Sequence, residues 1–232
     1  MLKTTRILIV LSVFLMSSAF AQASQALRLP SIFRKGMVLQ ADKPINVWGW
    51  SAKKAPVQVS LGNRTAKTSA DKMGAWSVTL PKFEKSFKPT KLEIRAGDEQ
   101  ITITDVLIGE VSIFGGQSNM AWTLQGSRDG DLEIASANTT HIRFNRIPLI
   151  ARNHPQNDLA VTADTAKEGN WRYATSEQVD NCTAVGYYFA QRISRLLKTP
   201  VGLIDVSWGG TMAQHWVTDE TLAGIPEMKP YH

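Results

Sequence analysis

Cysteine is nearly missing from this sequence: Cys182 stands alone among 232 residues, so no disulfide can form within the chain. No basic or metal-binding arrangement surrounds Cys182 and an apolar helical pattern follows it, so it reads as a buried structural thiol rather than a nucleophile. Histidine is scarce as well, with His141, His154, His215 and His232 the complete set. Their scatter has no ligand spacing, which disfavours zinc hydrolysis and leaves no metal or other cofactor implied. Dense basic tracts are also absent. Lys53-Lys54 and the lysines from Lys82 to Lys91 are interspersed with acidic and apolar residues, a pattern of solvated surface rather than of nucleic-acid binding. There are no internal repeats and no low-complexity tract.

A hydrophobic run long enough to span a bilayer is lacking too. The apolar stretch Ile7 to Phe20 falls short of the roughly 18 to 20 residues required. Lys3 and Arg6 before it and Ala21-Gln22-Ala23 after it make residues 1–23 a secretory signal peptide, with export to the periplasm or the extracellular space expected. Ser24, not cysteine, follows the cleavage point, which argues against a lipid anchor, and no membrane association is expected once the signal is removed. Loss of Lys3 and Arg6 lowers the formal charge from +6 to about +4, a weak excess. The rest of the chain, 43% hydrophobic and 20% charged, is long enough for one large or two small cored domains.

What is present falls into two textures. From Pro44 to Thr104 apolar and polar residues alternate in Ile45 to Trp48, Val57 to Leu61, Trp76 to Leu80, Leu92 to Arg95 and Ile101 to Thr104. Gly62-Asn63, Asp71 to Gly74 and Gly97-Asp98 supply turns between them. Residues 24–105 are therefore expected to form a small antiparallel, β-sandwich-like domain, its tryptophans packed in a core or interface rather than serving as sugar platforms. After Asp105, apolar strands at Val111–Phe114, Ile142–Ile147 and Val201–Val206 alternate with longer stretches. Ala184, Val185, Tyr188, Phe189, Ile193, Leu196 and Leu197 recur at helical spacing up to Lys198, and Pro200 stops the helix. Strand, helix, strand in that order implies a right-handed crossover in a parallel sheet, so residues 106–232 read as α/β. The polar run 153–170 reads as a surface loop.

The two textures meet near Ile113-Phe114-Gly115-Gly116-Gln117-Ser118-Asn119-Met120. An apolar strand runs into paired glycines and then into a helix start, which places Ser118 where backbone N–H groups and a helix terminus favour developing negative charge. Serine before asparagine is also an ordinary helix N-cap. The longer string Gly109-Glu110-Val111 through Gly116-Gln117-Ser118-Asn119-Met120 resembles the nucleophile block of the sialate O-acetylesterase family, a branch of the SGNH hydrolases. The likeness extends over most of the mature chain: Leu29 to Phe33, Gly36 to Gln40, Val47 to Trp50, Gly74 to Trp76, Ala184 to Phe189, and Val201 to Ile204 leading into Ser207-Trp208-Gly209-Gly210-Thr211. Ala121 stands where the family often has Glu, and Asp205 where it often has Asn.

The resemblance implies an SGNH-hydrolase-like parallel-sheet domain in which Ser118 is the acyl-accepting nucleophile. It implies an oxyanion hole built from the Ser118 N–H and from Gly210, with Gly209 the adjacent candidate. The expected substrate is an O-acetylated sialic acid or related sugar, which a mildly positive surface would suit; acetylxylan or another plant polysaccharide is the alternative. A serine also needs a base. The family's late Asp-x-x-His block has no counterpart in this sequence, nor has its intervening block with Gly-Glu and Asn. The chain is accordingly expected to be the N-terminal part of a longer enzyme, or else an inactive or carbohydrate-binding relic. Of the four histidines, His215 lies nearest in sequence to the Gly-Gly turn.

Overall fold

Alternating burial along the first hundred residues turns into strand pairing. The computed structural model describes residues 26–159 and 168–231; the expected signal segment, the middle of the 153–170 loop and His232 lie outside them. Strands β1 (Val38–Gln40), β2 (Ile45–Trp50), β3 (Pro56–Leu61), β4 (Arg64–Ser69), β5 (Ala75–Leu80) and β6 (Ser86–Ala96) precede a long β7 (Glu99–Phe114). Two-residue turns at Gly62-Asn63 and Gly97-Asp98 set the registers Leu61 opposite Arg64 and Ala96 opposite Glu99. β2 pairs with β5 as a separate ribbon, Val47 opposite Val78. Its inward side chains Ile45, Val47, Trp76, Val78 and Leu80 share one core with Val57, Val59, Leu61, Leu92, Ile94 and Ile103.

The second texture follows with a single helical turn α1 (Ser118–Ala121), α2 (Gly130–Ser136), β8 (Asn138–Arg146), β9 (Trp171–Thr175), α3 (Ala184–Leu197), β10 (Val201–Asp205) and α4 (Asp219–Ala223). β10 lies between β7 and β8 and is parallel to both, Asp205 standing opposite Phe114 on one side and Arg146 on the other. The strands join into one mixed sheet in the order β4-β3-β6-β7-β10-β8-β9, with β1 added parallel to β7. Parallel strands bring their C-terminal ends to one edge, where an α/β protein forms its sites.

Sixteen residues make β7 longer than a usual strand, because it serves both halves. It pairs with β6 from Glu99 to Ile108 and with β10 from Glu110 to Phe114. It therefore runs through position 105 without a break, and Asp105, at φ 59°, marks the place. A second core of Phe114, Leu124, Ile142, Phe144, Tyr187, Ala190, Val201 and Leu203 lies beneath α3. Thr183 caps that helix by accepting from the Gly186 N–H at 3.4 Å, and Lys198 ends it in a left-handed conformation with φ 48°. Cys182 is buried in this core as a free thiol. Burial, then the nearby Asp205 charge, pushes its proton affinity far up, so it has no thiolate to offer.

Candidate active site

β7 delivers its chain to the C-terminal edge at Phe114, and within four residues the direction reverses into α1. Gly116 takes φ 141°, a value that side chains rarely adopt, so the reversal needs a glycine there. Ser118 is the first residue of α1 and is exposed. The turn is anchored from behind. Thr183 Oγ1 donates to the Met120 carbonyl at 2.7 Å, and the Ala184 N–H to the Trp122 carbonyl at 2.8 Å. Ser118 thus rides on a short element tied to the start of α3.

The loop after β10 comes to the same edge. Val206 continues the ladder by donating to the Phe114 carbonyl at 2.9 Å, and the Trp208 N–H then donates to the Gly116 carbonyl at 2.8 Å. That second bond staples the Trp208-Gly209-Gly210 segment to the turn bearing Ser118. A Cβ placed on Gly209 would sit 3.5 Å from Ser118 Oγ, so Gly209 lines the space in front of the hydroxyl. Gly210, at φ 80°, makes the turn itself, and nothing lies within 4 Å of where its Cβ would be. Among the described residues, neither glycine N–H enters a backbone hydrogen bond, and both residues are exposed. The Ser118 N–H is engaged differently: it donates to the Gln117 side-chain oxygen at 3.2 Å.

Asp205 holds this loop in shape, a part the sequence reading did not give it. Only 2% exposed, it accepts at Oδ1 from the N–H and the hydroxyl of Ser207, fixing the chain that leads to Gly209. Its Oδ2 is buried without a hydrogen bond among the described residues and lies 4.0 Å from Arg146 Nε, which also faces Glu168 at 3.8 Å. The available signal was an aspartate closing the apolar run Val201 to Ile204 two residues before a serine, the spacing of an Asx turn. Trp216 was missed as well. It packs over Gly115, 3.3 Å from where a Cβ would be, and its indole N–H donates to Thr211 Oγ1 at 2.9 Å.

The histidines do not converge on Ser118. His141 is on β8 in the half of the strand away from this edge, edge-to-face with Phe87 at 5.1 Å. His154 lies exposed in the loop after β8. His215 is on a short 3-10 turn, Ala213–Trp216, and its Nδ1 accepts from the Met212 N–H at 3.0 Å. That bond fixes the neutral ring as the Nε2–H tautomer, a donor at the nitrogen where a serine base must accept. Among the described residues, no histidine or carboxylate hydrogen-bonds Ser118 Oγ, and no group of three His, Cys, Asp or Glu side chains has metal-ligand spacing.

No family model matches the chain. Sialate O-acetylesterases of Pongo abelii and Homo sapiens are each 28% identical to it over 218 residues. The match takes in 86% of this chain but 41% of each relative, so the chain spans less than half their length. The chain is similar to sialate O-acetylesterases over most of its own length. Among solved structures, a carbohydrate acetylesterase of Xanthomonas citri superposes with a TM-score of 0.79 at 33% identity, covering 87% of this chain and 44% of that one. The mixed sheet of this chain, with its parallel strands β7, β10 and β8, fits an α/β hydrolase-like fold, as does its superposition on that neighbour.

Proposed function

We propose that this chain supplies the nucleophile of a serine esterase that removes acetyl groups from an acetylated carbohydrate. The observation carrying the reading is Ser118 Oγ, on an exposed residue at the start of α1 and facing Gly209 across a gap, 3.5 Å from where a Cβ on that glycine would lie. An acetyl carbonyl carbon placed in that gap is within reach of Ser118 Oγ. Attack converts the carbonyl oxygen to an oxyanion, for which the Gly209 and Gly210 N–H groups are the unengaged donors. The Ser118 N–H joins them once the Gln117 side chain swings away. Collapse of the intermediate expels the sugar alcohol and leaves Ser118 acetylated, and water then releases acetate. The first step requires a base that takes the Ser118 Oγ proton and returns it to the departing sugar oxygen, the second a base that takes a proton from water and returns one to Oγ; a positioned base contributes on the order of 10²–10⁴-fold.

O-acetylated sialic acid comes first as substrate because the curated relatives are named for it, with acetylated xylan as the competitor. We further propose that residues 24–105 form a β-sandwich-like domain without catalytic groups. The signal pattern of residues 1–23 supports export, which N-terminal sequencing of the secreted or periplasmic protein would check by a start at Ser24.

The test is labelling of Ser118 by a fluorophosphonate together with turnover of p-nitrophenyl acetate, acetylated sialic acid and acetylated xylan. Slow labelling abolished by Ser118→Ala, with little turnover by the 232-residue chain, is expected. Labelling that survives Ser118→Ala removes the nucleophile assignment. Robust turnover lost with His215→Ala would overturn the tautomer argument and make His215 the base.

A further inference from the structure

Three irregularities of the sheet converge at the end of β8 that lies away from Ser118. The β6–β7 register shifts between Ser86 and Leu92, the β8–β9 register shifts between Thr139 and Arg143, and Asp105 takes φ 59° between them. A non-glycine residue in that region costs on the order of 1 kcal/mol, and bulges cluster where a protein re-aims side chains for use. Around these distortions opens a pocket of about 430 Å³ whose lining includes Phe87, Thr140, His141, Tyr173 and Gln178.

The chemistry of the lining selects a ligand class. Arg143 and Asp105, the full charges in the wall, are satisfied by each other at 2.7 Å, and the Tyr173 hydroxyl donates to Asp105 Oδ2 at 2.6 Å. His141 is held below its ordinary proton affinity by burial and then by the Arg143 charge, which keeps the ring neutral. The Gln178 carbonyl oxygen accepts from the Tyr173 N–H at 3.0 Å, which leaves its amide N–H groups as donors. Beside these neutral groups stands the Phe87 ring, 49% exposed and braced edge-to-face by His141 at 86°. An apolar ring face next to uncharged donors and acceptors matches a sugar ring, which has an apolar C–H face and a hydroxyl-bearing edge. An ionic ligand would find no free opposite charge.

We propose that this pocket is a second binding site that takes a neutral saccharide unit. It is separate from the nucleophile: Leu107 in its wall and Phe114 below Ser118 lie on the same strand, roughly 23 Å apart at about 3.3 Å per residue. Such a site would hold a polymer chain while an acetylated unit elsewhere on it reaches Ser118.

The experiment is a ¹⁵N chemical-shift titration of the full chain with neutral hexasaccharides of xylose, glucose, mannose and galactose, beside a hexamer of galacturonic acid. Saturable shifts at Thr140, His141 and Gln178 with a neutral oligomer, and none at Ser118, are expected. Phe87→Ala should weaken binding by about tenfold, a loss of the size seen for a single aromatic contact. Thr140→Val, at an exposed position, should weaken it less and serves as the second variant should Phe87→Ala fail to fold. Binding should be the same in Ser118→Ala. No shift at the pocket with any neutral oligomer, equal affinity in both pocket variants, or a preference for the galacturonic hexamer overturns the proposal. The titration reads binding, so its failure is independent of the esterase assay.

Discussion

Arg143 and Arg146 lie on the same strand and each faces an aspartate, yet the two pairs are finished very differently. Arg143 is 3% exposed in its side chain, donates to both the carboxylate and the backbone carbonyl of Asp105, and donates again to the Thr140 carbonyl at 2.9 Å. Tyr173 takes the second carboxylate oxygen of Asp105. Arg146 and Asp205, toward the Ser118 edge, approach only to 4.0 Å. Of five buried side-chain polar atoms without a hydrogen bond among the described residues, four belong to Asn145, Arg146 and Asp205 at this edge. At one end of the sheet, where its two halves join, the charged pair is fully hydrogen-bonded. The other holds polar groups in reserve beside the loops that carry Ser118 and Gly209, the pattern expected where a protein spends stability on a site.

Mutations at the two ends sharpen that contrast. Asp105→Ala should have the largest effect, about 3–5 kcal/mol of lost stability in denaturant unfolding, because it strands the buried Arg143 guanidinium. A loss under about 1 kcal/mol would show that the joint is not the keystone its geometry implies. Gly209→Val should cut fluorophosphonate labelling of Ser118 by tenfold or more, about 1.4 kcal/mol, since its side chain would enter the space 3.5 Å from Oγ. Unchanged labelling would move the reacting gap elsewhere.

Asp205→Asn keeps an acceptor for Ser207 and leaves Arg146 facing Glu168, so its stability cost should stay near 1 kcal/mol, below that of Asp105→Asn. Equal costs in the paired melts would erase the distinction between the ends. The smallest effect should be a pH signature. Burial, then the Asp105 hydrogen bond and charge, pushes the Tyr173 hydroxyl from 10.0 up to about 12. The fold keeps that proton after the unfolded chain has lost it, so the stabilisation is complete below pH 10 and lost as pH rises toward 12. Tyr173→Phe should flatten stability over that window.

Much of this was legible in residues. The turns at Gly62-Asn63 and Gly97-Asp98, the strand segments Val57 to Leu61, Leu92 to Arg95 and Ile101 to Thr104 beside them and the helix from Ala184 to Leu197 depend on short-range pattern and the pairing follows it, whereas β4 across the first turn was not read. The expected strand at Val111–Phe114 is the last part of the longer β7, because one strand serves both halves of the sheet. β9 and α2 went unread, since five residues at Trp171–Thr175 and seven at Gly130–Ser136 are too few to show a period. Ser118 was visible in its block, whereas Asp205 was passed over, because a carboxylate that shapes a loop is told apart from a solvated one only by its burial.

The sequence by itself determined the local elements and the glycine-dependent reversal before Ser118, which rest on residue type and near neighbours. Only the tertiary structure decided that Gly209 faces the hydroxyl while Gly210 makes the turn, that His215 spends its acceptor nitrogen on Met212, and that one arginine of β8 is fully paired and the other is not. Those outcomes depend on where β10 enters between β7 and β8, a long-range pairing between residues 91 and 59 apart in the chain that no local pattern encodes.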